Sequence, residues 1–283
     1  MLVQALAAVA LMLSGGGEAC AQTQRALPAA PCGEVAMVAT HGGTTTRYAV
    51  GRAQGAPQGT LVLLAGGGGH LDLDGNGCPR ALKGNFLVRS LAHFHSAGFA
   101  TALVDAPSDH PGEDGLMGFR ATAQHADDLG RVIADFRKRA NQPVWVVGTS
   151  RGTISATNVA ARLAAPVGAD GVVLTSAVMS GGAGGRKPWV VQTVFDFPLE
   201  AIRVPVLVVG HAGDTCPRTP ATLMGKITAR TNGAREQVVT VTGGPGGAPV
   251  GLEACEGRTP HGFIGQEAAV VAGIARFIRG GTY

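Results

Sequence analysis

Short apolar runs bounded by turn residues recur along most of the chain, and between them apolar side chains return every third or fourth position. Residues 60–64, 100–104, 144–147, 171–174 and 204–209 are the apolar runs. Their length and flanking Gly, Pro and Asp residues predict strands of a sheet buried on both faces. Pro205 stands at the start of its run, where a missing N–H is tolerated. Residues 34–39 and 44–50 predict two more strands, joined around His41-Gly42-Gly43, and 238–241 predicts the last strand. Phe86, Leu87, Leu91 and Phe94 share helical spacing, as do Leu129, Val132, Ile133 and Phe136. Residues 153–163 predict a further helix, and Val270, Ile274, Phe277 and Ile278 line a closing one. Strands alternating with helices imply an α/β fold with a parallel sheet and right-handed crossovers. In such sheets chemistry lies beyond the carboxyl ends of the strands, so the polar residues there are the candidates.

The N-terminus breaks this pattern. Residues 2–13 form an apolar run too short to span a bilayer, ended by Ser14-Gly15-Gly16-Gly17. Ala19-Cys20-Ala21 has the small-x-small form of a signal-peptidase site, although no Lys or Arg precedes the apolar run. The expectation is a signal peptide over 1–21, a loosely ordered segment over 22–33, one domain over 34–283, and a periplasmic or secreted location. Cleavage after Ala21 leaves Cys32, Cys78, Cys216 and Cys255. Four cysteines in an oxidising compartment favour two disulfides, with three possible pairings.

Composition adds bounds. A length of 283 residues, 45% of them apolar, suits one large domain, and no long Ser/Pro/Gln linker divides it. The 44 glycines point to tight loops. The net charge of +4 comes from scattered basic residues, and only Arg137-Lys138-Arg139 cluster, at a helix end. A nucleic-acid partner is therefore not expected.

The candidate chemistry begins at Gly148-Thr149-Ser150-Arg151-Gly152, a G-x-S-x-G pentapeptide between a strand and a helix. A serine in a strained turn there holds Oγ clear of the sheet, and a Cβ at either glycine, Gly148 or Gly152, meets a neighbouring strand or helix. The helix that follows aims its first N–H groups at the same spot, so the Arg151 N–H is an oxyanion donor. A serine nucleophile needs a base, and the base an orienting acid. Asp214 stands a few residues past a buried strand, and His261 lies between the last strand and the last helix.

The pentapeptide, the Pro-Val-Leu-Val-Val strand leading to Asp214, and Pro260-His261-Gly262-Phe263 together resemble the α/β-hydrolase superfamily over about residues 34–280. The resemblance implies a mostly parallel eight-stranded sheet with helices on both faces and a small lid within 176–203. It implies Ser150 as nucleophile, His261 as general base and Asp214 as the acid that orients it. It also places a second oxyanion donor in the loop after the third strand: Gly67, with Gly66 and Gly68 as alternatives. If Asp214 meets His261, their loops are close, which predicts a Cys216–Cys255 disulfide and leaves Cys32 and Cys78 to pair. In the lid, Trp189, Val190, Val194, Phe195 and Phe197 either roof a pocket or pack the segment onto the sheet.

Other polar motifs read as structural. Asp72-x-Asp74-x-Asn76-Gly77 begins like an EF-hand loop, but its twelfth position is Lys83 instead of a glutamate. It reads instead as a loop capped on backbone N–H groups, with His70 at the rim of the site. His93 and His95 face different sides of one helix, and His211 has a structural or rim position. His41, His110 and His125 have no identifiable partner. No metal and no cofactor are expected. The functional expectation is an exported serine hydrolase that cleaves carboxylic esters through an acyl-enzyme on Ser150. A peptidase, thioesterase or lactonase on the same triad is the alternative, and a noncatalytic hydrolase-like binding protein a more distant one. Its partner is a small-molecule ester, without stable membrane insertion once the signal is removed; the oligomeric state stays open.

Overall fold

β-branched and leucine side chains dominate the runs that form the central strands, and every residue of four of these strands is buried: β3 (Gly59–Leu64), β5 (Val144–Thr149), β6 (Gly171–Thr175) and β7 (Val206–His211). The computed structural model describes residues 32–182, 191–245, 247 and 249–283. The expected signal peptide and most of the segment over 22–33 lie outside them. With β1 (Glu34–Ala39), β2 (Thr45–Gly51), β4 (Phe99–Pro107) and β8 (Glu236–Val241), these strands form one eight-stranded sheet in the order β1-β2-β4-β3-β5-β6-β7-β8. β1 pairs antiparallel with β2, and β2 with β4; all other neighbours are parallel.

Alternate residues of each central strand face opposite layers. Val62, Leu64, Val146, Val172, Leu174, Val206 and Val208 join one core beneath α3 (Ala123–Ala140) and α4 (Gly152–Arg162). Leu61, Leu63, Trp145, Val147, Val173, Leu207 and Val209 join the other. That second core is covered by α1 (Phe86–Arg89), α2 (Leu91–Ser96) and α6 (Glu267–Ile278). The expected helix around Phe86 and Leu91 is two short ones that meet at Ser90, whose ψ of 1° departs from helical geometry. A further one-turn helix, α5 (Gly225–Thr228), carries too little apolar periodicity to be expected.

Within 176–203, expected to form a small lid, the chain makes short 3-10 turns at Val194–Asp196 and Leu199–Ala201. Val194 is buried in the first core, Phe195 packs against it, and Phe197 packs with Ile154 and Val178. These side chains hold the segment onto the body of the protein; Trp189 and Val190 lie outside the described residues. Disulfides join Cys32 to Cys78 and Cys216 to Cys255. No described helix is long and apolar enough to cross a membrane.

Candidate active site

Strand β5 ends at Thr149 and α4 begins at Gly152, so the chain reverses within two residues. Ser150 takes up the reversal with φ of +51°, a conformation that costs a non-glycine residue about 1–3 kcal/mol. The flanking glycines are what the turn can accommodate. A Cβ on Gly148 would come within 2.5 Å of the Gly152 carbonyl oxygen, and one on Gly152 within 2.0 Å of the Leu64 carbonyl oxygen. The turn is tied down by its backbone: Ser150 N–H donates to Thr175 O at 3.0 Å, and Thr153 N–H and Oγ1 donate to Ser150 O.

His261 stands in the 3-10 turn Pro260–Gly262, where its N–H donates to Thr259 Oγ1 and its carbonyl accepts from Ser176 Oγ at 2.7 Å. The imidazole is buried, with Nδ1 3.0 Å from Asp214 Oδ2. Asp214 is held in turn by Cys216 N–H on Oδ1 at 3.0 Å and by Thr219 Oγ1 on Oδ2 at 2.8 Å. With Nδ1–H donating to Asp214, the lone pair of the ring lies on Nε2. Nε2 is buried and has no hydrogen-bond partner among the described residues. Ser150 and His261 line the same cleft of about 190 Å³, together with Gly67, Leu82, Asn85 and Phe86. Ser150 Oγ and His261 Nε2 form no hydrogen bond, but both residues line this cleft, with the Asp214 carboxylate on the far nitrogen of the ring.

The glycine loop after β3 faces this cleft through Gly67, whereas Gly68 packs against Glu113, where a Cβ would lie 2.0 Å from a carbonyl oxygen. Gly66 fits directly against Ser150, its position leaving 2.9 Å between a hypothetical Cβ and the Ser150 Cβ. The Gly67 and Arg151 N–H groups donate to no other group among the described residues. Buried Arg120 holds the loop from behind, donating to Ala65 O at 3.1 Å and Gly67 O at 3.2 Å, and to Ser155 Oγ. Burial, reinforced by Arg151, lowers the pKa of Arg120. Burial, with Arg120 beside it, likewise pushes His125 far below its ordinary value, and its Nε2 meets Ser155 Oγ at 2.9 Å.

Two features of the site have no signature in the sequence. Thr219, whose hydroxyl lies within hydrogen-bond distance of both Asp214 and His261, is five residues past the acid in an irregular loop. Arg89 at the end of α1 reaches the histidine loop. It donates to Gly257 O at 2.6 Å, Gly262 O at 2.8 Å and Gly84 O, and pairs with Glu267 at 2.6 Å. The Thr219 contacts appear only once the loop after β7 meets the histidine turn, and the Arg89 contacts only once α1 packs beside it. The Cys216–Cys255 disulfide joins the loop of the acid to the wall of the cleft, since Cys255 lines it.

The remaining histidines divide. His211 is buried, accepting from Gly213 N–H and contacting Gly243 O, a structural position. His70 is not at the rim of the Ser150 cleft: its Nδ1 accepts from Gly112 N–H beside a separate hollow with Thr45 and Arg47, because the glycine loop turns away after Gly69. Asp74 caps its own loop, accepting from Asn76 and Cys78 N–H, and these bonds lower its pKa. His41, His110 and His125, for which the sequence offered no partner, all have one: His41 bonds Asp128 and Asp109, and His110 stacks on Phe119. Asp214, Cys216 and His261 also converge, but the Cys216 sulfur is committed to its disulfide.

No family model matches the chain, and no curated protein matches it. Solved structures do. Thermogutta terrifontis esterase 2 is 14% identical, with 90% of this chain and 98% of that one covered at a TM-score of 0.59. A soluble variant of monoglyceride lipase from Saccharomyces cerevisiae, in complex with a substrate analog, is 13% identical, with 87% and 95% covered and a TM-score of 0.59. Est1E from Butyrivibrio proteoclasticus, with ferulic acid bound, is 15% identical, with 86% and 98% covered and a TM-score of 0.56. Strand order, the serine turn at the end of β5 and these likenesses agree: the chain has the α/β-hydrolase fold.

Proposed function

We propose that this protein is an exported serine hydrolase that cleaves carboxylic esters through an acyl-enzyme on Ser150. The observation that carries the reading is the Asp214–His261 hydrogen bond set on the wall of the cleft into which the strained turn brings Ser150. His261 Nε2 takes the Ser150 proton as Oγ attacks the ester carbonyl. Asp214 keeps the ring in the tautomer that accepts there and stabilises the imidazolium that forms. The Gly67 and Arg151 N–H groups hold the oxyanion, a contribution of about 10²–10³-fold in rate for each donor. His261 then gives its proton to the leaving alcohol, and a water it activates releases the acid from Ser150.

A cleft of about 190 Å³ has room for a small ester. The neighbours with esterase and lipase names support ester hydrolysis as the reaction class. Export is supported by two disulfides, which persist in oxidising compartments. The test is labelling with a fluorophosphonate probe alongside turnover of short p-nitrophenyl esters. Wild-type protein is expected to be labelled at Ser150 and to turn over the esters. An unlabelled, inactive wild-type protein would leave a binding role in place of catalysis.

A further inference from the structure

Away from the Ser150 cleft, the hairpin between β1 and β2 brings a histidine to the end of β4. Gly42 and Gly43, with φ of +53° and +82°, let the turn fold tightly enough to present His41. Asp109 and His110 follow β4 after one residue, Ser108, and the His110 N–H is anchored on Pro107 O at 2.8 Å. His41 Nε2 is 3.0 Å from Asp109 Oδ2, and His110 Nε2 is 3.8 Å from the same oxygen. The ligand atoms of all three residues lie within 4.8 Å of one another. From this arrangement we propose a second site, unrelated to ester hydrolysis: a divalent transition-metal site of the zinc type, with His41 Nε2, Asp109 and His110 Nε2 as ligands.

Three observations favour an ion over a chain of hydrogen bonds. His41 Nε2 can hydrogen-bond Asp109 Oδ2 at 3.0 Å, but His110 Nε2, at 3.8 Å from the same oxygen, is too far for a hydrogen bond and has no such reason to face it. Ligand atoms about 2 Å from a tetrahedral zinc stand roughly 3.3 Å apart, and the two separations from Asp109 Oδ2, 3.0 Å to His41 and 3.8 Å to His110, bracket that spacing. The outer partners are already in place. Buried Asp128 on α3 accepts from the His41 backbone N–H at 2.9 Å and lies 2.5 Å from Nδ1, which directs Nε2 at Asp109. A carboxylate behind a histidine ligand is the usual arrangement of such centres, fixing the tautomer and the plane of the ring. Phe119 packs at 4.4 Å against the His110 ring and 4.8 Å from that of His41, so both imidazoles are held before an ion arrives. Two nitrogens and one carboxylate suit zinc better than calcium or magnesium, which take oxygen ligands. Three protein ligands leave a fourth position to water. An ion there clamps the β1–β2 hairpin to the end of β4.

The test uses the protein expressed without a polyhistidine tag, freed of metal by dialysis against a chelator. Zn²⁺ titrated against a competing chelator should bind at one equivalent, and Co²⁺ should give the visible absorption of a tetrahedral centre. Zn²⁺ should raise the thermal midpoint of the wild type and of Ser150→Ala alike. His110→Ala and Asp109→Asn should each weaken binding by about 100-fold or more, and Asp128→Asn by about 10–100-fold. Asp109 is exposed enough that its variant folds even if His110→Ala does not. Wild-type protein that takes up no stoichiometric zinc, or an Asp109→Asn protein that binds it unchanged, overturns the proposal.

Discussion

Ser150 is held by sterics that single substitutions can probe. Ser150→Ala removes the proposed nucleophile and should lower ester turnover by about 10³-fold or more while leaving the fold intact, read by steady-state kinetics and circular dichroism. Gly152→Ala forces a Cβ to within 2.0 Å of the Leu64 carbonyl oxygen. Its urea midpoint should fall by the equivalent of about 1–3 kcal/mol or more; an unchanged midpoint would mean the turn is not packed as described. Thr219→Val keeps the volume but takes a hydrogen bond from Asp214. We expect kcat to fall about 10-fold with KM little altered, because only the orientation of His261 is affected. The two glycines could be read in advance because a pentapeptide with a steric requirement is a local signal. Thr219 could not, because nothing near it in the chain says that its hydroxyl will meet two residues of the site.

At the level of elements, the histidine loop depends on what α1 and the disulfide do to it. Arg89 places one guanidinium on the carbonyls of Gly84, Gly257 and Gly262 and on Glu267 at the start of α6. Removing it takes a charged donor from half-buried Glu267 and from three carbonyls, so Arg89→Ala should cost about 1–2 kcal/mol of stability and lower activity with it. Arg89→Lys should not restore either, since an ammonium cannot span the same acceptors. The Cys216–Cys255 bridge, with a sequence separation of 39, ties the chain just after Asp214 to the chain just before His261. Reduced protein, or Cys255→Ser, should lose about 2–4 kcal/mol of stability and lose activity at lower temperature than the wild type. The strands were legible because burial on both faces forces continuous apolar composition. The break at Ser90 and the one-turn α5 were not, because short helices owe their existence to packing and not to a repeating pattern.

For the molecule as a whole, acid stability should report on the union of α1 with α6. Burial disfavours ionised Glu267, but the Arg89 hydrogen bonds and backbone N–H groups outweigh it and hold the carboxyl below its ordinary value. A carboxyl lowered in the folded state adds stability above its unfolded pKa, and that stability is lost as pH falls through the folded value. The thermal midpoint should therefore drop as pH falls below about 4. Glu267→Gln should flatten part of that slope; an identical slope would place the acid sensitivity elsewhere. The alternation of apolar runs with helical faces was enough to establish an α/β sheet and the place of the serine turn within it. Each of these rests on contacts close in sequence or on composition imposed by burial. Which glycine of the loop faces the cleft, what Thr219 and Arg89 hold, where His70 points and what His41 meets came from the packing of the sheet's two layers and its edge hairpin. Those pairings join residues from 5 to 178 positions apart, and a distance of that kind is set by how whole elements stack, not by any neighbour along the chain.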